Sequence, residues 1–283
     1  MSAADAGRTG RVLVFLHEVA GGRKLLQAVR ERAERGAEVA VVAPQNQPEH
    51  GVRIGPEELR EAAQSRVDVT VAVFEEFGIH ATGEVMDPDP ALALDDAVRA
   101  HEPDEILISC LAETRFGLLR RDLIEWATAR YGADVIHIPV RIEDDAIRWD
   151  VTHTLVVATQ TVNSPELLDH LLAEAEAHPH RYTFICPRSG DVSREEIGRR
   201  LAATLAELYR ADVDATGQPI SPEPFAAVQN AIEHYRVDEI LISTLAGEQS
   251  KWLEEGLVER VEDVTEKPVR HIEARAPAGA GAL

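Results

Sequence analysis

Asp104-Glu-Ile-Leu-Ile-Ser-Cys-Leu-Ala112 and Asp238-Glu-Ile-Leu-Ile-Ser-Thr-Leu-Ala246 are one nine-residue phrase written twice, with Cys110 exchanged for Thr244. The two stand 134 positions apart. The same offset sets Ala81-Thr82-Gly83 on Ala215-Thr216-Gly217, Pro88 and Pro90 on Pro222 and Pro224, and His137 on His271. Over the ungapped stretch 81–112, 15 of 32 positions are identical to their partners in 215–246, far above coincidence, so the chain is an internal duplication. Upstream the offset widens to about 142, where Val12 to Leu26 lies against Thr154 to Leu168; the first copy therefore holds roughly eight extra residues in its middle. The copies run over 11–142 and 152–273, joined by a short charged stretch, Ile142 to Asp150, in which Ile147 and Trp149 are suited to docking on a domain surface. The ends, 1–10 and 274–283, are small and featureless and are expected to be disordered.

The repeated phrase also sets the type of fold. Ile-Leu-Ile-Ser is continuous, apolar and rich in β-branched residues, as a strand buried on both faces must be. In copy one such runs are Val12–Leu16, Glu38–Ala43, Ala81–Met86, Glu105–Ser109 and Asp134–Val140. In copy two they are Thr154–Ala158, Tyr182–Cys186, Val213–Pro219, Glu239–Ser243 and Pro268–Ile272. Amphipathic stretches lie between them, with Leu25, Leu26, Val29 and Ala33 on one helical face and Leu167, Leu168, Leu171 and Leu172 on another. Strand–helix alternation at this spacing predicts an α/β fold: two parallel sheets of five strands, right-handed crossovers, and helices on both faces. The segment Pro56 to Gly78 is two-sided: Val67, Val69, Val71 and Val73 alternate like a strand, while Glu57 to Gln64 is helical. Its partner, Ser193 to Tyr209, is plainly helical, so the repeat predicts a helix that stops at Gly78.

Charge and composition narrow the function. A net charge of −21 repels phosphate backbones and anionic lipid, so neither nucleic acid nor a membrane surface is an expected partner. No apolar run is long enough to span a bilayer, and the first ten residues lack the apolar centre of a secretory signal. Cys110 and Cys186, one per copy, show no metal-ligand spacing and fit a reducing, cytoplasmic setting. No Walker loop, Ser–His–Asp order or paired-carboxylate spacing is present, so no catalytic residue is assigned and no enzymatic activity is expected.

Five strands in βαβαβαβαβ order over about 130 residues, twice, resemble the universal stress protein family. The resemblance implies flavodoxin-like, Rossmann-like units of the adenine nucleotide alpha hydrolase-like kind, with strand order 3-2-1-4-5. Nucleotide-binding members share a loop after the fourth strand, G-x2-G-x9-G-[S/T], and an aspartate ending the first strand. Glycines let the backbone approach phosphate, and free N–H groups at a helix start hold the anion. Here the loop positions hold Ser243, Ala246, Gly256 and Leu257 in copy two, and Ser109, Ala112, Asp122 and Leu123 in copy one. Asp122 would oppose phosphate by like charge. The aspartate is replaced by His17 and Thr159. The expectation is therefore a stress-related binding or regulatory protein without ordinary ATP binding and with no cofactor. The alternative is a module for ATP, AMP or a small anion in copy two, touched by Thr159, Ser243, Ala246, Gly247 and Gly256. A nest at Ser243 to Gly256 would favour this alternative; Leu245 or Trp252 filling the space would oppose it.

Other residues belong to the carboxyl ends of the strands, where open α/β sheets bind ligands: His17, Glu18, Pro44, Cys110, Thr159 to Thr161 and Pro187. Val19-Ala-Gly21-Gly22 has the makings of an anion nest. Asn163-Ser164-Pro165-Glu166 reads as a helix start, with Ser164 as N-cap and Pro165 at the first helical position. Arg115, Arg120 and Arg121 form a candidate anion cluster, and Cys110 beside them a candidate redox thiol. His137 and His271 read as structural. In the resembled family the last strand commonly forms the dimer contact, which implies an intramolecular pseudo-dimer around the fifth strands with the two histidines meeting across it; a further homodimer is compatible.

Overall fold

The computed structural model describes residues 10–17, 20–46, 55–111, 118–140, 151–187, 192–220, 223–235, 237–247 and 251–275. The first unit contains β1 (Arg11–Leu16), α1 (Arg23–Ala33), β2 (Glu38–Pro44), α2 (Pro56–Glu76), β3 (Ala81–Met86), α3 (Pro90–His101), β4 (Glu105–Leu111), α4 (Leu118–Tyr131) and β5 (Val135–Val140). The second contains β6 (Thr152–Val157), α5 (Pro165–Ala177), β7 (His180–Pro187), α6 (Arg194–Arg210), β8 (Asp214–Ile220), α7 (Pro224–His234), β9 (Glu239–Leu245), α8 (Lys251–Glu254), α9 (Leu257–Glu262) and β10 (Val269–Ala274). Each unit forms one five-stranded sheet, β3-β2-β1-β4-β5 and β8-β7-β6-β9-β10, the expected 3-2-1-4-5 order twice. Every strand pair is parallel. Gly10 accepts from the Glu38 amide at 2.8 Å, and Ala274 ends β10, each one residue beyond the unit limits read from the sequence.

The registers confirm the duplication. Val12 pairs with Glu105 as Thr154 pairs with Glu239, which fixes the wider offset at the first strand. The extra residues of copy one fall between β2 and the first turns of α2. Local chemistry marks the helix ends. Asp89 accepts from the Ala91 and Leu92 amides ahead of α3, and Glu223 does the same for Phe225 and Ala226 ahead of α7, each followed by a proline at the first helical position. Ser164 accepts from the Leu167 amide and Pro165 opens α5, as expected. Gly78 leaves α2 at φ 72°, and its repeat partner Asp212 leaves α6 at φ 60°, the left-handed region that short polar residues tolerate.

Alternate strand residues point to opposite faces. In β1, Leu13 and Phe15 face α3 and α4, with Ile106 and Ile108 of β4 in the same apolar cluster. Val12, Val14 and Leu16 face the other way and join a core that does not stop at the unit boundary. That core also contains Val67, Val69 and Val73 of α2, and Ile197, Leu201, Leu205 and Leu208 of α6. A third cluster fills the far face of the second sheet against α7 and α9.

The units meet through α2, α6 and β8, which corrects the expected contact around the fifth strands. β5 and β10 are the outer strands of their sheets. His137 and His271 bond within their own units. The reason lies in α2, buried at Arg66, Val67, Val69, Thr70, Val73 and Phe74. Such a helix is apolar on two faces: one covers its own sheet and the other needs α6.

Candidate functional site

The carboxyl ends of β1 and β4 flank the point where strand order reverses in unit one. The chain leaving β1 is pinned there by unit two. Tyr209 Oη shares its one proton between the Ala215 carbonyl at 2.7 Å and the Gly21 carbonyl at 3.2 Å, and Thr216 Oγ1 donates to the Ala20 carbonyl at 2.8 Å. Arg23 Nε donates to Asp214 at 2.8 Å and its Nη1 to Asp212 at 2.8 Å. Partial burial works against the Arg23 charge, but the bonds and charges of the two aspartates outweigh it and raise its pKa above the ordinary value. Burial pushes the Tyr209 phenol strongly up, so it stays a donor. Of the nest considered at Val19 to Gly22, the Gly21 amide donates to Thr70 Oγ1 at 3.1 Å and is not available to an anion. Glu18 and Val19 lie outside the described residues.

His17 ends β1 buried, its amide donating to the Ser109 carbonyl at 2.9 Å. Ser109 Oγ is fully buried and has no hydrogen-bond partner among the described residues. Pro44, ending β2, accepts at its carbonyl from the buried Arg66 guanidinium at 2.6 Å. Ala112 and Arg115 lie outside the described residues, as do the side chains of Arg120, Arg121 and Asp122 and the connector residues Ile147 and Trp149.

Unit two closes the same place with its own groups. Thr159 Oγ1 donates to the Pro187 carbonyl at 2.6 Å. Thr161 Oγ1 lies 2.8 Å from Ser243 Oγ and donates to the Ser243 carbonyl at 3.1 Å. Beyond β9, the Ala246 amide donates to the Ala274 carbonyl at 3.0 Å, and the Gly247 amide donates to Glu273 Oε2 at 3.3 Å. A carboxylate thus holds the amide that an anionic ligand would need. Trp252, 7% exposed, packs among Ile242, Leu257 and Val261; Leu245 is only half-buried. Gly256 stands at φ 65° between α8 and α9. The structure thus brings Thr159, Ser243, Ala246 and Gly247 to the strand ends and sets Gly256 between the two helices. The partners Glu273, Thr70 and Tyr209 carry no motif and were not legible in the sequence.

The last strands carry the recurring histidines. His137 Nε2 lies 3.0 Å from Cys110 Sγ, and His271 Nε2 lies 2.8 Å from Thr244 Oγ1. Both pairs are 27 residues apart in sequence, the one signal that could have linked them. Among the described residues, Glu174, His180 and Glu239 are the group with metal-ligating atoms mutually within 4.8 Å. The Arg270 guanidinium bonds both carboxylates, so one resident cation already occupies the lone pairs a metal would take and offsets half of their charge.

No protein-family model matches the sequence and no curated protein is similar to it. Solved structures similar to it include a universal stress protein from Archaeoglobus fulgidus DSM 4304, at 14% identity and TM-score 0.36, covering 95% of this chain and 97% of that one. A chain described as a universal stress protein from Pseudomonas aeruginosa UCBPP-PA14 has 14% identity and TM-score 0.32, covering 93% of each chain. A functionally unknown protein from Pseudomonas aeruginosa PAO1 has 14% identity and TM-score 0.30, covering 94% of this chain and 93% of that one. All three scores lie below 0.5, so the fold assignment rests on the strand order and the duplication.

Proposed function

We propose that this chain is a tandem universal-stress-protein-like protein with a non-enzymatic, stress-related binding or regulatory role, and that it does not hold ATP or AMP in the ordinary way. The observation that carries this reading is the internal use of the groups a nucleotide would need. At the strand ends of unit one the Gly21 amide serves Thr70, and the chain around it is held by Tyr209, Thr216 and the Arg23 ion pairs. In unit two the amides of Ala246 and Gly247 and the hydroxyls of Thr159 and Thr161 all have partners inside the chain. A ligand would have to break these bonds before making its own, and an exchange of equal bonds returns little net free energy.

Cys110 and Cys186 stand in different units and are not joined in a disulfide, which supports a cytosolic setting. Among the described residues no helix is long and apolar enough to cross a membrane. The net charge of −21 supports protein partners over nucleic acid.

The test is thermal unfolding of the full chain with and without millimolar ATP, AMP and magnesium. A ligand that binds only the folded state stabilises it by about 2.7 kcal/mol at a hundred times its dissociation constant. The expected result is no change in the midpoint with any nucleotide. A rise with ATP or AMP, abolished by Gly256→Trp, would overturn the reading and locate a nucleotide site in unit two.

A further inference from the structure

We propose that Cys110 and His137 form a thiol–imidazole pair that makes Cys110 a nucleophilic, oxidisable cysteine, reactive toward small hydroperoxides. Three observations carry this. First, Sγ lies 3.0 Å from Nε2, within hydrogen-bond reach for sulfur. Both side chains stand on the α3/α4 face of the sheet, because His137 pairs in register with Ile108, two residues before Cys110 on the same strand. Second, the surroundings are graded. Cys110 is 3% exposed, which admits only a small reactant, while His137 is exposed and can pass a proton to water. Third, the duplication supplies an internal control. Unit two keeps the same frame, His271 on Thr244 at 2.8 Å, with a hydroxyl in place of the thiol. The frame is thus sound without sulfur, and the thiol is what unit one adds to it.

The other cysteine shows what pairing changes. Cys186 is buried in the shared core, and burial alone pushes its thiol strongly up, toward an inert state. Cys110 has an imidazole to receive its proton. His17 stands on the same face at the end of β1: continuing the Leu16–Ser109 register by one residue sets it level with Cys110, so the thiol lies between strands that each carry a histidine.

The Cys110 thiol passes its proton to His137 Nε2, leaving thiolate and imidazolium. The thiolate attacks one peroxide oxygen; the S–O bond forms and the O–O bond breaks. The departing hydroxide, or alkoxide from an organic hydroperoxide, takes the proton from His137 and leaves as water or alcohol. Sulfur is oxidised by two electrons to the sulfenic acid and the peroxide is reduced. His137 acts as the proton acceptor that maintains the nucleophile.

The experiment treats the native full chain with hydrogen peroxide, traps sulfenic acid with a dimedone-type reagent, and measures modification of each cysteine by mass spectrometry over time. Cys110 is expected to react and Cys186 to stay unmodified. His137→Asn is expected to slow Cys110 by about tenfold or more and to lower the ultraviolet thiolate absorbance at neutral pH, a signature that a purely structural histidine would not move. Cys110→Thr, which copies unit two, is expected to keep the thermal midpoint and lose the reaction. Thr244→Cys is expected to create a second reactive thiol beside His271, and it keeps the test decisive if the His137 variant unfolds. Equal rates at Cys110 and Cys186, an unchanged Cys110 rate in His137→Asn, or a Thr244→Cys thiol as inert as Cys186 would each overturn the proposal.

Discussion

Gly217 shows how much a single position in this fold is constrained by its neighbours. It pairs with Phe184 across β7 and β8, and a Cβ added there would stand 2.5 Å from Phe184 Cβ and 2.7 Å from the Phe184 carbonyl oxygen. A strand backbone cannot yield by that much without losing its ladder, so the repeated Ala-Thr-Gly is a packing requirement. In unit one the same atom at Gly83 would run into Val67 of α2. Gly217→Ala is expected to destabilise the protein by about 1–3 kcal/mol, read as a lower midpoint in chemical denaturation with an unchanged slope. The candidate-site residues divide along the same line. Ser164 and Pro165 declare a helix start in their own sequence, whereas nothing in Gly247 announces that Glu273 will bond its amide.

At the scale of elements, α2 is the informative case. Its valines at 67, 69, 71 and 73 alternate like a strand because the helix is covered on two sides, by its own sheet and by α6. Single-face periodicity is what a surface helix shows, and a helix buried twice blurs it. The duplication resolved the ambiguity, since the partner helix α6 has a cleaner pattern. On α6, Gly198 is buried against the other unit, and a Cβ there would sit 3.6 Å from Val69 Cγ2, an ordinary contact. Gly198→Ala is therefore expected to fit and to stabilise the protein by about 0.5–1 kcal/mol through helix propensity, measured as a higher denaturation midpoint. A larger residue at this position would instead wedge the two helices apart.

At the scale of the whole molecule, the inner faces of both sheets and the helices between them share one apolar core. Polar ties across the boundary among the described residues include Arg23 with Asp212 and Asp214, Tyr209 with Gly21, Thr216 with Ala20, Arg194 with Glu61 and Ser65, and Arg210 with Glu76; those of Asp214, Tyr209 and Thr216 are buried or half-buried. The two units are therefore expected to unfold together, as one calorimetric transition, although each has the size of a domain. Arg23→Met is expected to lower stability by about 1–3 kcal/mol, because it leaves the half-buried Asp214 carboxylate without its partner at the contact, and to leave the single transition intact. Two resolved transitions in the native chain would show that the shared core does not couple the units.

The duplication, the strand–helix alternation and the α/β type of each unit are legible in the chain alone. These are local or periodic properties, and a copied phrase at a constant offset makes them legible without any contact being known. Which faces of the two units meet becomes visible in the folded chain, because α2 and α6 are both amphipathic elements whose partners lie far away in sequence. So does the closing of the strand ends, where Tyr209 reaches Gly21 and Glu273 reaches Gly247 across 188 and 26 residues. Such contacts follow from where the folded sheets place their edges, and hydrogen bonds between residues this distant leave no spacing in the chain from which to read them.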